Sequence, residues 1–210
     1  MGIFAFLFVV LALLISCDQK SGNSTPVIDC DSTSLVTSTY EDDVGDADFS
    51  FIDLGSLSIK QNDTFVCVEI NLLDFPDYLT YNNVNVTDNH REYSWTASFD
   101  IDNDGENSNN LELSISYYKF AGSEQSQGDV LDFAQVNAWY VDDTGLTSNS
   151  IANLKSTRAG NKLTIYGSRS ESSYLDYITV NTPVKFSSSF NASNVTYRDI
   201  YPNDGSYVAK

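Results

Sequence analysis

The sequence predicts an all-β protein: an antiparallel β-sandwich, jelly-roll-like, of about ten strands. Three observations carry that expectation. Beyond residue 17 no stretch repeats its apolar positions at helical spacing. Apolar and polar residues alternate instead in short runs, divided by turn-forming residues. The composition agrees, because 13 Tyr, 12 Phe and abundant Val, Ser, Thr and Asn favour strands and turns.

The elements follow in order. Leu57 and Ile59 close the first clear strand, and Gln61-Asn62-Asp63 turns the chain. Val66, Val68, Ile70 and Leu72 line one face of the next strand. Tyr93, Trp95, Ala97, Phe99 and Ile101 alternate along a third, and Leu111, Leu113, Ile115 and Tyr117 along its partner. Trp95, among apolar neighbours, is a core residue. His90, within Thr87-Asp88-Asn89-His90-Arg91, reads as part of a solvated loop. Further strands are predicted over 131–141, 151–157, 163–166, 177–180, 184–190 and 195–201, with Ala159-Gly160-Asn161 as a hairpin turn. Residues 168–176 fit a short helical turn. Such a series favours two packed sheets, with a closed barrel as the second arrangement.

The amino terminus has a different character. Residues 3–15 form an unbroken apolar run, IFAFLFVVLALLI, shorter than the roughly 20 residues a membrane-spanning helix needs. Leu14-Ile15-Ser16-Cys17 spans its end, although no Lys or Arg precedes the run. These four residues resemble the bacterial lipobox: an aliphatic residue, a permissive position, a small residue and a cysteine. The resemblance implies cleavage after Ser16 and a diacylglycerol thioether on Cys17. The membrane, reached through a lipid anchor, would then be one partner, and the bacterial cell envelope the location, periplasmic or surface-exposed. Ordinary signal cleavage with a soluble product is the alternative. On this reading residues 1–16 are a signal peptide, 17–28 the lipidated cysteine with a flexible polar tether, and 29–210 a single domain.

Cys30 and Cys67 remain. In an oxidising compartment they form a disulfide, worth about 4 kcal/mol on the chain-entropy model, with two free thiols as the alternative. The bond would staple the end of the tether to a central strand.

Charge and missing motifs narrow the function. Asp and Glu number 29 against 11 Lys and Arg, a formal net charge of -18. Such a surface repels phosphates, which excludes nucleic acid as a partner. The single histidine leaves little room for histidine-based metal or triad chemistry. No nucleophile elbow, zinc-ligand spacing or phosphate loop occurs. Whether the chain is an enzyme stays open only through a carboxylate pair of the glycoside-hydrolase kind, which so acidic a sequence cannot single out.

Two local patterns carry chemistry. Asp100-Ile101-Asp102-Asn103-Asp104-Gly105 resembles the calcium-loop pattern D-x-D-x-D-G, with hard oxygen donors at Asp100, Asp102 and Asp104 and the Glu106 carbonyl beyond. Position twelve is Leu111 and the flanks are strands, so an EF-hand is excluded. A β-hairpin loop completed by the acidic stretch at 41–48 fits a Ca2+ ion; a solvated Asp/Asn/Gly turn fits equally.

The second pattern is aromatic. Trp139 shares a strand face with Gln135 and Asn137, while Tyr118 and Phe120 fall beside Glu112, Ser114 and Ser116. Rings among amides and hydroxyls suit a sugar, and covering a sheet or loop is the other use of such rings. Asp43 to Asp48, Phe99-Asp100-Ile101-Asp102 and Asp199-Ile200-Tyr201-Pro202 together resemble calcium-stabilised carbohydrate-binding sandwich modules, a likeness that implies no particular ligand residues.

Three functions fit. The first is a lipid-anchored envelope module that binds a glycan or another polymer. The second is a structural or assembly lipoprotein docked onto an envelope protein. The third is a carboxylate-based hydrolase.

Overall fold

The computed structural model describes residues 28–32, 34–82, 90–119, 126–131, 134–145, 147–148, 151–192 and 195–209. The segment expected to be a signal peptide, Cys17, the expected tether up to residue 27 and Phe120 lie outside the described residues.

The described chain forms strands β1 (Val36–Glu41), β2 (Leu54–Gln61), β3 (Phe65–Leu72), β4 (Leu79–Thr80) and β5 (His90–Asp100). Then come β6 (Asn110–Lys119), β7 (Val130–Leu131), β8 (Ala134–Val141), β9 (Thr147–Ser148), β10 (Lys155–Ala159) and β11 (Lys162–Ser168). The last two are β12 (Val184–Ala192) and β13 (Val195–Tyr201). One sheet has five strands in the order β1-β2-β3-β11-β10, the other six in the order β13-β12-β5-β6-β8-β9. A ribbon of β4 and β7 completes the described strands, and the pairings are antiparallel. The sandwich follows from the alternation in the sequence, since each sheet must bury its apolar face against the other.

One cluster of buried side chains fills the space between the sheets. Val66, Val68 and Ile70 of β3 enter it from one side, and Trp95, Ala97 and Phe99 of β5 from the other. The Trp95 indole N–H donates to the Phe51 carbonyl at 3.1 Å, which satisfies the polar atom this large side chain brings inside. Tyr40 of β1 bridges the sheets, with ring centroids 5.8 Å from Phe186 and 6.0 Å from Tyr201. Cys30 is bonded to Cys67 on β3, the middle strand of its sheet, as the oxidising-compartment reading expects.

Several details differ from the sequence reading. His90 opens β5 and pairs with Lys119; it does not lie in a loop, because the ladder to β6 runs on past a bulge at Arg91/Tyr93. Residues 177–180 are not a strand. The chain forms 3₁₀ turns at Arg169–Glu171 and Ser173–Tyr177, which cover most of the predicted helical segment 168–176 and run one residue past it, and Ser168 and Ser172 cap them. The Arg169 guanidinium donates to the carbonyls of Leu175 and Ile178, holding this stretch off a strand ladder. β10 begins only at Lys155, and the run 131–141 divides between β7 and β8. β1 escapes the alternation pattern because Ser38 and Tyr40 are its inward residues.

Candidate functional site

The outer face of the six-stranded sheet is a grid of small polar side chains. On β5, Ser94, Thr96 and Ser98 alternate with buried Tyr93, Trp95, Ala97 and Phe99, so they point away from the core. By the same alternation β6 contributes Glu112, Ser114 and Ser116, and β8 contributes Gln135, Asn137 and Trp139. β12 adds Lys185, Ser187 and Ser189, and β13 adds Arg198 and Ile200.

Register sets these residues in rows. Arg198, Ser189, Ser94, Ser116 and Gln135 lie side by side across five strands. Ile200, Ser187, Thr96, Ser114 and Asn137 form the next row, and Lys185, Ser98, Glu112 and Trp139 the third. Short side chains in the middle and long ones at the rim make a trough. A cleft of about 350 Å³ lies here, lined among others by Arg91, Thr96, Glu112, Lys185 and Arg198. Ser94, on its lining, bonds to the buried Ser116 beneath, Oγ to Oγ at 3.0 Å.

The charge of this face opposes that of the whole chain. Arg91, Lys185 and Arg198 stand around the trough, and among the described residues none forms an ion pair with a carboxylate. Burial holds the Lys185 ammonium below its ordinary pKa, while Glu112 pulls the other way. Lys185 donates to Asn107 Oδ1 at 2.6 Å and lies 4.4 Å from the Tyr207 ring centroid.

Trp139 and Tyr118, singled out in the sequence, share this face with Arg91 between them. The guanidinium lies 4.9 Å from the Trp139 ring and 5.5 Å from the Tyr118 ring, and its Nε donates to the Tyr118 hydroxyl at 3.0 Å. Trp139 is therefore half-covered by a cation rather than bare. Two donors at this end lack acceptors among the described residues: Trp139 Nε1 and Asn137 Nδ2, both buried. The rim cations and the serines of β5 and β12 belong to no motif that the sequence displays. Ser94-x-Thr96-x-Ser98 and Ser187-x-Ser189, each interleaved with core residues, were the signal available for them.

The Asp100 loop forms a compact turn. Asp100 accepts from the Asn103 N–H at 2.7 Å and the Gly105 N–H at 2.9 Å, and Asp104 from the Glu106 N–H at 2.8 Å. Asp102 accepts from Asn109 Nδ2 at 2.9 Å, and the Glu106 carbonyl from Asn110 Nδ2 at 3.1 Å. One oxygen each from Asp100, Asp102 and Asp104 still lies within 4.8 Å of the others. The acidic stretch at 41–48 was expected to complete this loop, but its Asp46 converges with Asp53 and Asp199 instead. That follows from topology, because β1 borders β2 while Asp100 ends β5 in the opposite sheet.

Comparisons with protein-family models, curated proteins and solved structures found no match.

Proposed function

We propose that the trough on the six-stranded sheet binds an extended polyhydroxylated polymer, a glycan carrying acidic groups, and that the domain is held in the bacterial cell envelope by a lipid on Cys17. The single observation that carries this reading is a hydroxyl-floored groove ringed by Arg91, Lys185 and Arg198 in a chain of net charge -18. Serine and threonine hydroxyls both donate and accept, as sugar hydroxyls do, so a row of them matches a row of sugars. Guanidinium groups without acidic partners pair with carboxylate or sulfate substituents. On binding, the ligand displaces Arg91 from the Trp139 ring, and the buried donors of Trp139 and Asn137 gain acceptors. The Cys30–Cys67 bond supports an oxidising location.

Filling the trough tests the reading. Ser187→Tyr sets a ring inside the cleft on the outer face, and Arg198→Glu reverses a rim charge. Each is expected to weaken binding to an acidic polysaccharide by at least about tenfold, or 1.4 kcal/mol. Unchanged binding in both, or equal binding of neutral and acidic polymers, would contradict it.

A further inference from the structure

A second polar cluster lies on the opposite side of the six-stranded sheet, where β13 meets the start of β2. Asp199 occupies the middle of β13, Asp53 directly precedes β2, and Asp46 lies in the loop that leaves β1. One carboxylate oxygen from each lies within 4.8 Å of the other two. Asp53 is 1% exposed and Asp199 7% exposed, so two of the three charges lie inside the protein.

Partners account for only part of these carboxylates. Asp53 Oδ2 accepts from the Gly45 N–H at 2.7 Å, and Asp199 Oδ2 from the Leu54 N–H at 2.6 Å. Gly45 adopts φ +90, a left-handed conformation that favours glycine, and so aims its N–H at Asp53. Asn203 donates to Asp46 Oδ2 at 3.0 Å. Asp53 Oδ1, the other oxygen of the most deeply buried of the three, has no hydrogen-bond partner; nor has Asp42 Oδ2 nearby. Among the described residues no Lys or Arg pairs with any of these four acids. Burial, with Asp199 and Asp46 close by, pushes the Asp42 carboxyl up to about 7.

Buried carboxylates with a bare oxygen and no cationic side chain are costly as they stand. A divalent cation removes that cost, and the donors are all hard oxygens, the set calcium takes. Oxygens about 2.4 Å from one ion stand about 3.4 to 4.8 Å apart, which suits the observed convergence. We propose that Asp46, Asp53 and Asp199, with Asp42 beside them, bind a calcium ion that joins β13 of one sheet to β2 of the other. The site is separate from the Asp100 loop, and the ion acts as an internal clasp between the sheets.

The test is calcium titration of the chelator-stripped full chain by calorimetry, with the thermal midpoint followed in parallel. The midpoint is expected to rise as calcium is added to the native protein. Asp46→Asn, at the exposed edge, weakens the affinity by at least about tenfold because it removes a charged ligand. Asp53→Asn abolishes binding, and Asp104→Asn leaves it unchanged. If Asp53→Asn does not fold, the surface variant Asp46→Asn still decides the matter. No heat and no midpoint shift in the native protein would overturn the proposal. So would an affinity that falls in Asp104→Asn and holds in Asp46→Asn.

Discussion

Asp199, midway along β13, accepts a 2.6 Å hydrogen bond from the backbone N–H of Leu54, the first residue of β2. The bond crosses from one sheet to the other, inside the core. It explains how a carboxylate comes to lie among apolar residues: the irregular pairing at the start of β2 directs an amide inward that needs an acceptor.

Asp199→Ala leaves that amide unpaired in a dry site, at a cost of about 1–3 kcal/mol. Asp199→Asn keeps an acceptor and removes a crowded charge. In calcium-free buffer the Asn variant should therefore be the more stable of the two, as urea denaturation measures.

Glu69, 5% exposed on β3, pairs with Lys60 at 2.8 Å and Lys162 at 3.1 Å. Its hydrogen bond, opposed in part by burial, raises the Lys162 pKa. A raised folded value means that this stabilisation is complete below the ordinary lysine pKa and is lost as pH rises through the folded one. Stability should fall at strongly alkaline pH, and the fall should shrink in Glu69→Gln. At neutral pH that variant should lose about 1–3 kcal/mol.

Reduction, or the Cys30→Ser/Cys67→Ser pair, should cost about 4 kcal/mol if the closed loop acts by restricting the unfolded chain. The free energy of unfolding with and without reductant gives the number.

Arg91→Ala removes the guanidinium that lies over Trp139. Because Trp95 stays fully buried, a red shift in tryptophan emission reports Trp139 alone. Stability should change by only about 1 kcal/mol, the scale of a surface cation–π contact.

The sandwich was legible because burial on one face forces alternation, and Val66 to Leu72 and Tyr93 to Phe99 obey it. Strands whose inward residues are polar were not legible that way: β1 turns Ser38 and Tyr40 inward, and Asp199 interrupts the apolar series of β13. The Cys30–Cys67 pair was legible because, once Cys17 is read as the lipid attachment point, the two remaining cysteines have one pairing. The polar trough was only partly so. Tyr118 and Trp139 stood out as rings among polar residues, but joining Ser94, Ser116, Ser189 and Arg198 in one row needs the order of strands. Alternation within a strand says nothing of that order. The Asp46–Asp53–Asp199 cluster fails for the same reason, since its members are brought together across the sandwich.

Nuclear magnetic resonance titration of the labelled protein with an acidic polysaccharide tests the binding surface most directly. Shifts are expected to concentrate on Ser94, Thr96, Ser114, Ser187 and Arg198, together with the Trp139 indole N–H. Shifts confined to the five-stranded sheet, or none at saturating ligand, would contradict it.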